Sequence, residues 1–209
     1  MNIINNELKI CKRCVMDSSA NGIRFDINGN CIYCQNYDEN IEPYLKKNLE
    51  NSHRWFDEIF GQIINERSND KYDCLIGLSG GVDSSYVAYY AKKVLNLRPL
   101  VLHIDTGWNN KIAVSNIENI VDKLDLDLQT IVIDWNEMRD LTLSFFKAQV
   151  PTIDTVQDHA IWAGMYNFAR KNGITNILTG GNLYTESVRE PLIWAYHATD
   201  LWQIRDIHG

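Results

Sequence analysis

Cys74-Leu75-Ile76-Gly77-Leu78-Ser79-Gly80-Gly81-Val82-Asp83-Ser84-Ser85 is the stretch on which the fold of this chain turns. Its first five residues are apolar or small and stop at glycines, the pattern of a short strand buried on both faces. The residues after the glycines predict a helix beginning near Ser84, with Val87, Ala88, Ala91, Val94 and Leu95 as its inward stripe. Lys92, Lys93 and Asn96 would face water.

The same alternation continues downstream. Apolar runs at 100–104, 130–133 and 176–178 predict strands, and helical spacing predicts helices at 112–124, 138–149 and 158–171. Asn172-Gly173 supplies a stop signal for the last of these. Strands alternating with helices of this length indicate an α/β fold with a mostly parallel, doubly wound sheet. Its ligands are expected beyond the C-terminal ends of the strands.

Upstream the texture changes. Residues 41–66 carry Tyr44, Leu45, Leu49, Trp55, Phe56, Ile59, Phe60, Ile63 and Ile64 at helical spacing, reading as one connecting helix or two with a break. Residues 11–40 are rich in Cys, Asn, Asp and Gly, with a turn at Asn28-Gly29-Asn30. We therefore expect three parts: a four-cysteine module at 1–40, a helical connection at 41–70 and the α/β domain at 71–209.

The chain has 209 residues, is 45% hydrophobic and carries a formal net charge of −7. It can bury one substantial core. Its acidic balance disfavours nucleic acid as a partner, because phosphate backbones are held by clustered Lys and Arg. No stretch approaches the roughly 20 apolar residues of a membrane span, and residues 1–10 lack the order of a secretory signal. A cytoplasmic protein with no membrane partner is expected.

Cys11-Lys12-Arg13-Cys14 and Cys31-Ile32-Tyr33-Cys34 pair four of the five cysteines. Each spacing lets two thiolates grip one ion, and four soft ligands specify tetrahedral zinc, with an iron-sulfur centre as the minor alternative. Such a closed site is a structural staple.

The loop at Ser79 has the composition of an anion cradle. Gly80 and Gly81 allow close approach, their amides and that of Val82 can face an oxyanion, and Ser79, Ser84 and Ser85 add hydroxyls. Asp83 makes sense beside a polyphosphate when magnesium bridges the two. The loop lacks the Gly-Lys-Ser/Thr ending of a Walker sequence and the spacing of a dinucleotide fingerprint. It resembles the loop of the PP-loop ATP pyrophosphatases, of the adenine nucleotide alpha hydrolase-like type, which split ATP between the α and β phosphates.

Two later strand ends join that site. His103, Ile104 and Asp105 lie where the second strand exits, and the resemblance implies that they meet adenosine; a core histidine with a satisfied ring is an equal reading of His103. Thr179, Gly180, Gly181 and Asn182 come after the last strand, with Glu186 beyond, and a simple helix start competes as the explanation of Asn182 and Glu186. Catalysis is assigned to Asp83, Ser79 and Glu186.

Together the two cysteine pairs, Met16-Asp17-Ser18, Phe25-Asp26, the Ser79 loop, 103–109, 151–159, 180–186 and Trp194 resemble the N-acetyl sugar amidotransferase family along nearly the whole chain. The resemblance implies adenylation of an acetamido oxygen by ATP and its replacement by ammonia, giving an acetamidino sugar in bacterial surface-polysaccharide (lipopolysaccharide) or nonulosonic acid biosynthesis. It implies an N-acetyl sugar substrate, nucleotide-linked or a nonulosonic acid precursor, a separate glutaminase that supplies ammonia, and ATP, magnesium and zinc. The oligomeric state, a homo-oligomer included, stays open. Family members continue past Ile207-His208-Gly209, so the resemblance also implies that the C-terminal part is lacking. The rival readings are a PP-loop enzyme that thiolates tRNA and a nucleotide-binding docking module without turnover.

Overall fold

The computed structural model describes residues 8–50, 52–65, 71–181 and 199–209. They fall into two compact units, one within 8–55 and the other within 56–181 and 199–209. The boundary lies inside the helix Ser52–Asn65.

The first unit is held by its cysteines. Isolated antiparallel bridges join Ile10 to Asp17 and Phe25 to Cys31, and Gly29 turns between the latter with φ +86°. Cys11, Cys31 and Cys34 are buried, with Met16, Ile23, Phe25 and Tyr33 packed around them. Helix α1 (Ile32–Asn36) comes next and passes through a π-turn at Tyr37–Ile41 into α2 (Glu42–Glu50).

The second unit begins within α3 (Ser52–Asn65), which is followed by strand β1 (Cys74–Gly77), α4 (Val82–Tyr89), β2 (Pro99–Asp105), α5 (Lys111–Leu124), β3 (Asp127–Val132), α6 (Trp135–Ala148), α7 (Thr155–Lys171), β4 (Ile177–Leu178) and α8 (Leu201–His208). The four strands are parallel in the order β3-β2-β1-β4. This is the expected α/β fold with a doubly wound sheet.

The alternation of side chains explains the layering. Cys74, Ile76 and Leu78 of the β1 run and Val101 of β2 pack with Ala88 of α4, Ala91 of the π-turn that continues it and Ile117 of α5. Leu75, Leu100, Leu102 and Ile104 pack on the other face against Met165 and Ala169 of α7. Both faces of the sheet are therefore covered, as an uninterrupted apolar strand requires. At the N-terminal ends of β1 and β2, Arg98 donates to Asp73 through Nε at 3.1 Å, Nη2 at 2.6 Å and its backbone N at 2.7 Å. That clamp fixes the start of β1 against the approach to β2.

One expectation fails. Val94, read as part of the inward stripe, is exposed, whereas Ala88 and Ala91 are buried. The helix after Tyr89 continues as a π-turn over Tyr90–Val94, closed by Leu95 N donating to Tyr90 O at 2.9 Å. The extra residue in that turn rotates Val94 outward and Leu95 inward. Among the described residues no helix is long and apolar enough to cross a membrane.

Candidate functional site

The strand order reverses between β1 and β4. β1 leads outward to β2 and β3, and the chain then returns to lay β4 on the other side of β1. Open parallel sheets form a crevice at such a switch point, and the two loops that leave it here are 79–81 and 179–181.

Gly80 fixes the first loop. Its φ is +78°, and a Cβ there would lie 2.3 Å from the carbonyl oxygen of Ala113 in the first turn of α5. Asn116 Nδ2 donates to Gly80 O at 3.0 Å, holding the loop to α5 from its outer side. The serine hydroxyls fasten the turn to itself: Ser84 Oγ and Ser85 Oγ donate to Gly81 O at 3.2 and 2.6 Å, and Gly81 N donates to Ser79 Oγ at 3.3 Å. Gly81 is the N-cap of α4 and provides no side-chain cap. The first-turn amides of α4 are thus left for an external acceptor, where the helix dipole favours an anion. Val82 and Asp83 are exposed in this turn.

The second loop comes directly against the first. A Cβ on Gly180 would fall 2.9 Å from the backbone carbon of Asp83 and 3.0 Å from Ser84 N. Thr179 and Gly180 are thereby brought to the α4 N-terminus, with Gly181 next in the chain. Asn182 and Glu186, and Trp194 of the sequence pattern, lie outside the described residues.

β2 contributes through His103, Ile104 and Asp105. The ring of His103 is buried and spends both nitrogens on the protein: Nδ1 lies 3.0 Å from Leu78 O, and Nε2 lies 3.0 Å from Asn109 Nδ2. A neutral ring protonated on Nδ1 satisfies both contacts, since a carbonyl can only accept and an amide nitrogen donates. Asn109 Nδ2 also donates to Asp105 Oδ1 at 2.9 Å, and Gly107 N donates to the same oxygen at 2.8 Å. His103 therefore forms a wall and fixes register rather than offering a hydrogen bond to a ligand.

Between these strand ends lies a cavity of about 250 Å³, lined by Ser79, His103, Ile104, Thr106, Asn109, Thr179 and Gly180 and floored by Gln157, Ile161, Trp162 and Met165 of α7. Whole small-molecule sites commonly enclose roughly 300–1,000 Å³, so this cavity suits one planar part of a ligand. The helix reaches the strands because of two glycines. A Cβ on Gly77 would meet Met165 Sδ at 2.9 Å, and one on Gly164 would meet Ile104 Cδ1 at 2.6 Å. The floor is not evident from the chain. Its signal is the i, i+4, i+8 series Gln157, Ile161, Met165, which also reads as ordinary core.

The four cysteine sulfurs Cys11, Cys14, Cys31 and Cys34 lie within 4.8 Å of one another. Cys11 to Cys34 is 3.8 Å and Cys14 to Cys31 is 3.6 Å. A tetrahedron of Zn–S bonds about 2.3 Å long has sulfur-sulfur edges of about 3.8 Å, so the donor set fits zinc. No disulfide joins them. Burial works against ionising Cys11, but the amides of Cys14, Arg13 and Cys31 all donate to its sulfur and bring the thiol down to about 6. Burial dominates at Cys14 and Cys34 and pushes both upward. A bound dication would reverse that by favouring thiolates.

The family model described as NAD synthase matches residues 56–172, more than half of the chain. The chain belongs to the NAD synthase family. The match takes in the Ser79 loop, β1 to β3 and the α7 floor, and leaves the cysteine module outside. The match supports a PP-loop fold for this region.

Among curated proteins the chain is 27% identical over 108 residues to an uncharacterized protein of Methanocaldococcus jannaschii, an overlap of 52% of this chain and 35% of that one. Similar solved structures include an NH3-dependent NAD synthetase of Campylobacter jejuni, with 19% identity, 65% of this chain and 57% of that one covered and a TM-score of 0.47. An NMN synthetase of Francisella tularensis gives 21% identity, 61% and 55% coverage and 0.45. A predicted tRNA methyltransferase subunit of M. jannaschii gives 18%, 58% and 58%, and 0.40. The chain thus spans about a third of the curated relative and little more than half of these solved chains.

Proposed function

We propose that the chain is an ATP-dependent amidotransferase that converts the acetamido group of an N-acetyl sugar to an acetamidino group. The observation that carries the ATP half is the uncapped first turn of α4, held open by a Gly80 that no other residue can replace without collision. In this reading the amides of the Ser79 loop take the β and γ phosphates, and the 250 Å³ cavity takes adenine between Ile104 and the α7 floor. Asp83 would hold magnesium with the polyphosphate.

The reaction has two steps. The amide oxygen attacks the α-phosphorus, the α–β bond breaks and pyrophosphate leaves. Ammonia then adds to the imidate carbon, loses a proton, and AMP departs with the former amide oxygen. Positioning and charge neutralisation supply the catalysis, with Ser79, Asp83, Thr179 and Gly180 nearest the transferring group and Asn182 and Glu186 assigned to the acceptor side. Ammonia comes from a separate glutaminase, and the cysteine module is a zinc staple.

The acceptor half rests on the resemblance of the cysteine pairs, 103–109 and 180–186 to the N-acetyl sugar amidotransferases. The tRNA-thiolation alternative needs a reactive cysteine in the domain. Cys74 is fully buried, and burial together with neighbouring Asp73 pushes its thiol up to about 12. Supplied with magnesium, ATP, ammonium and UDP-N-acetylglucosamine or another N-acetyl sugar nucleotide, the protein should release pyrophosphate and AMP. Release of ADP and inorganic phosphate would refute the cleavage assigned to the loop, and ATP binding without turnover on any acceptor would favour the docking module.

A further inference from the structure

Trp108 and Trp135 stand at the exits of the neighbouring strands β2 and β3, with ring centroids 5.2 Å apart and planes inclined at 68°. They are 54% and 44% exposed. Half-open indoles forgo much of the 150–250 Å² that an aromatic side chain can bury, yet this pair is held firmly. Gly107, at φ +86°, admits Trp135 where a Cβ would approach Cε3 to 2.6 Å. Asp134 Oδ1 accepts from Asn136 N and Glu137 N at 2.8 and 3.1 Å, fixing the turn that presents Trp135. Ile133 N donates to Asp105 O at 2.9 Å, tying the two exits together.

Position and chemistry suggest what the pair is for. Trp108 precedes Asn109, which lines the cavity beside the Ser79 loop. Strands about 4.8 Å apart place the β2 and β3 exits roughly 5 and 10 Å from that of β1, within reach of a substrate joined to the α-phosphate. The rim is polar: Asp105 commits Oδ1 to Gly107 N and Asn109 Nδ2, and Asp134 commits Oδ1 to Asn136 N and Glu137 N, which leaves their Oδ2 atoms for hydroxyl donors. An enclosed slot serves adenine better than this open pair, and carboxylates at the rim ill suit an apolar protein surface. A pyranose ring, with one C–H face and a belt of hydroxyls, matches both features.

We propose that the Trp108–Trp135 pair is the platform for the acceptor's pyranose ring, with the Asp105 and Asp134 carboxylates available to its hydroxyls. This rests on the amidotransferase reading, whose sugar it places on a surface of this chain.

The test uses the full chain and N-acetylglucosamine as probe, read by saturation-transfer NMR, with ATP affinity measured in parallel by calorimetry. The wild type should bind the sugar. Trp135→Leu should weaken that binding about tenfold, Trp135→Phe should restore part of it, and ATP affinity should stay within about twofold. Trp108→Leu, altering the more exposed ring, should act as Trp135→Leu does and serves if that variant fails to fold. Absence of sugar binding in the wild type, sugar binding indifferent to both leucine variants, or ATP affinity falling with the indoles would each overturn the platform. Pyrophosphate release separates this from the parent reading: indole-dependent sugar binding without release sinks the adenylation and leaves the platform standing, whereas release unaffected by either leucine variant does the reverse.

Discussion

Replacing Gly80 with alanine tests the loop geometry most directly. The residue sits at φ +78°, where an L side chain costs about 1–2 kcal/mol. Its Cβ would lie 2.3 Å from Ala113 O and 2.9 Å from Ala113 C, both backbone atoms of α5 that cannot swing aside. Relieving such a contact by shifting backbone adds about 1–3 kcal/mol, giving a total of about 2–5 kcal/mol. At roughly 2–4 °C per kcal/mol for a unit of this size, Gly80→Ala should lower Tm by roughly 4–20 °C. The displaced loop should also lose ATP affinity. Gly81→Ala is the control for stability: its backbone is extended at φ −78°, ψ 164°, and its Cβ would meet only the rotatable Ser79 Oγ, at 3.3 Å. Scanning calorimetry and ATP titration on both variants decide the matter. Equal stability losses at 80 and 81, or a Gly80→Ala protein with unaltered Tm, would refute the reasoning.

Three more outcomes are expected from other parts of the chain. Elemental analysis should find about one zinc per chain, and Cys14→Ser should lower that content and the protection of the remaining thiols from alkylation; a folded, metal-free protein would contradict the sulfur geometry. Asp83→Asn removes a charge from an exposed side chain, so Tm should hold while magnesium-dependent pyrophosphate release falls by tenfold or more; unchanged release removes Asp83 from the site. Asp73→Ala deletes a carboxylate whose side chain is 0% exposed and which accepts three bonds from Arg98, so it should cost about 3 kcal/mol in denaturant unfolding; a loss below about 1 kcal/mol would show that the clamp contributes little.

The parts legible in the sequence are those whose cause is local. Cys74 to Leu78 announces a two-sided strand because both its faces are buried, and Gly80 announces an anion turn because no other residue tolerates its φ and its neighbour. The cysteine pairs are legible because ligand spacing is itself local. Val94 went astray because a π-turn shifts helical phase without any residue that signals it. The α7 floor and Trp135 are legible only through topology: β4 must return beside β1 before α7 can lie under the loop, and β3 must pair with β2 before Trp135 can meet Trp108.

The two glycine contacts at the switch point bear on how the site works. Gly80 keeps the Ser79 loop close to α5, and Gly180 keeps the β4 loop close to the first turn of α4, so each loop is gripped through backbone packing that a larger residue would break. The serine hydroxyls are already spent on Gly81 O. What stays free is the backbone N–H of the first turn of α4, which needs no rotamer to be ordered when a phosphate arrives. A site built that way loses little entropy on binding and aims fixed dipoles at the charge that develops on a departing pyrophosphate, which is where preorganisation contributes most to rate. Side-chain replacements at Ser84 or Ser85 should therefore act on this chemistry through the shape of the turn, and changes at Gly80 or Gly180 should act through the position of the amides themselves.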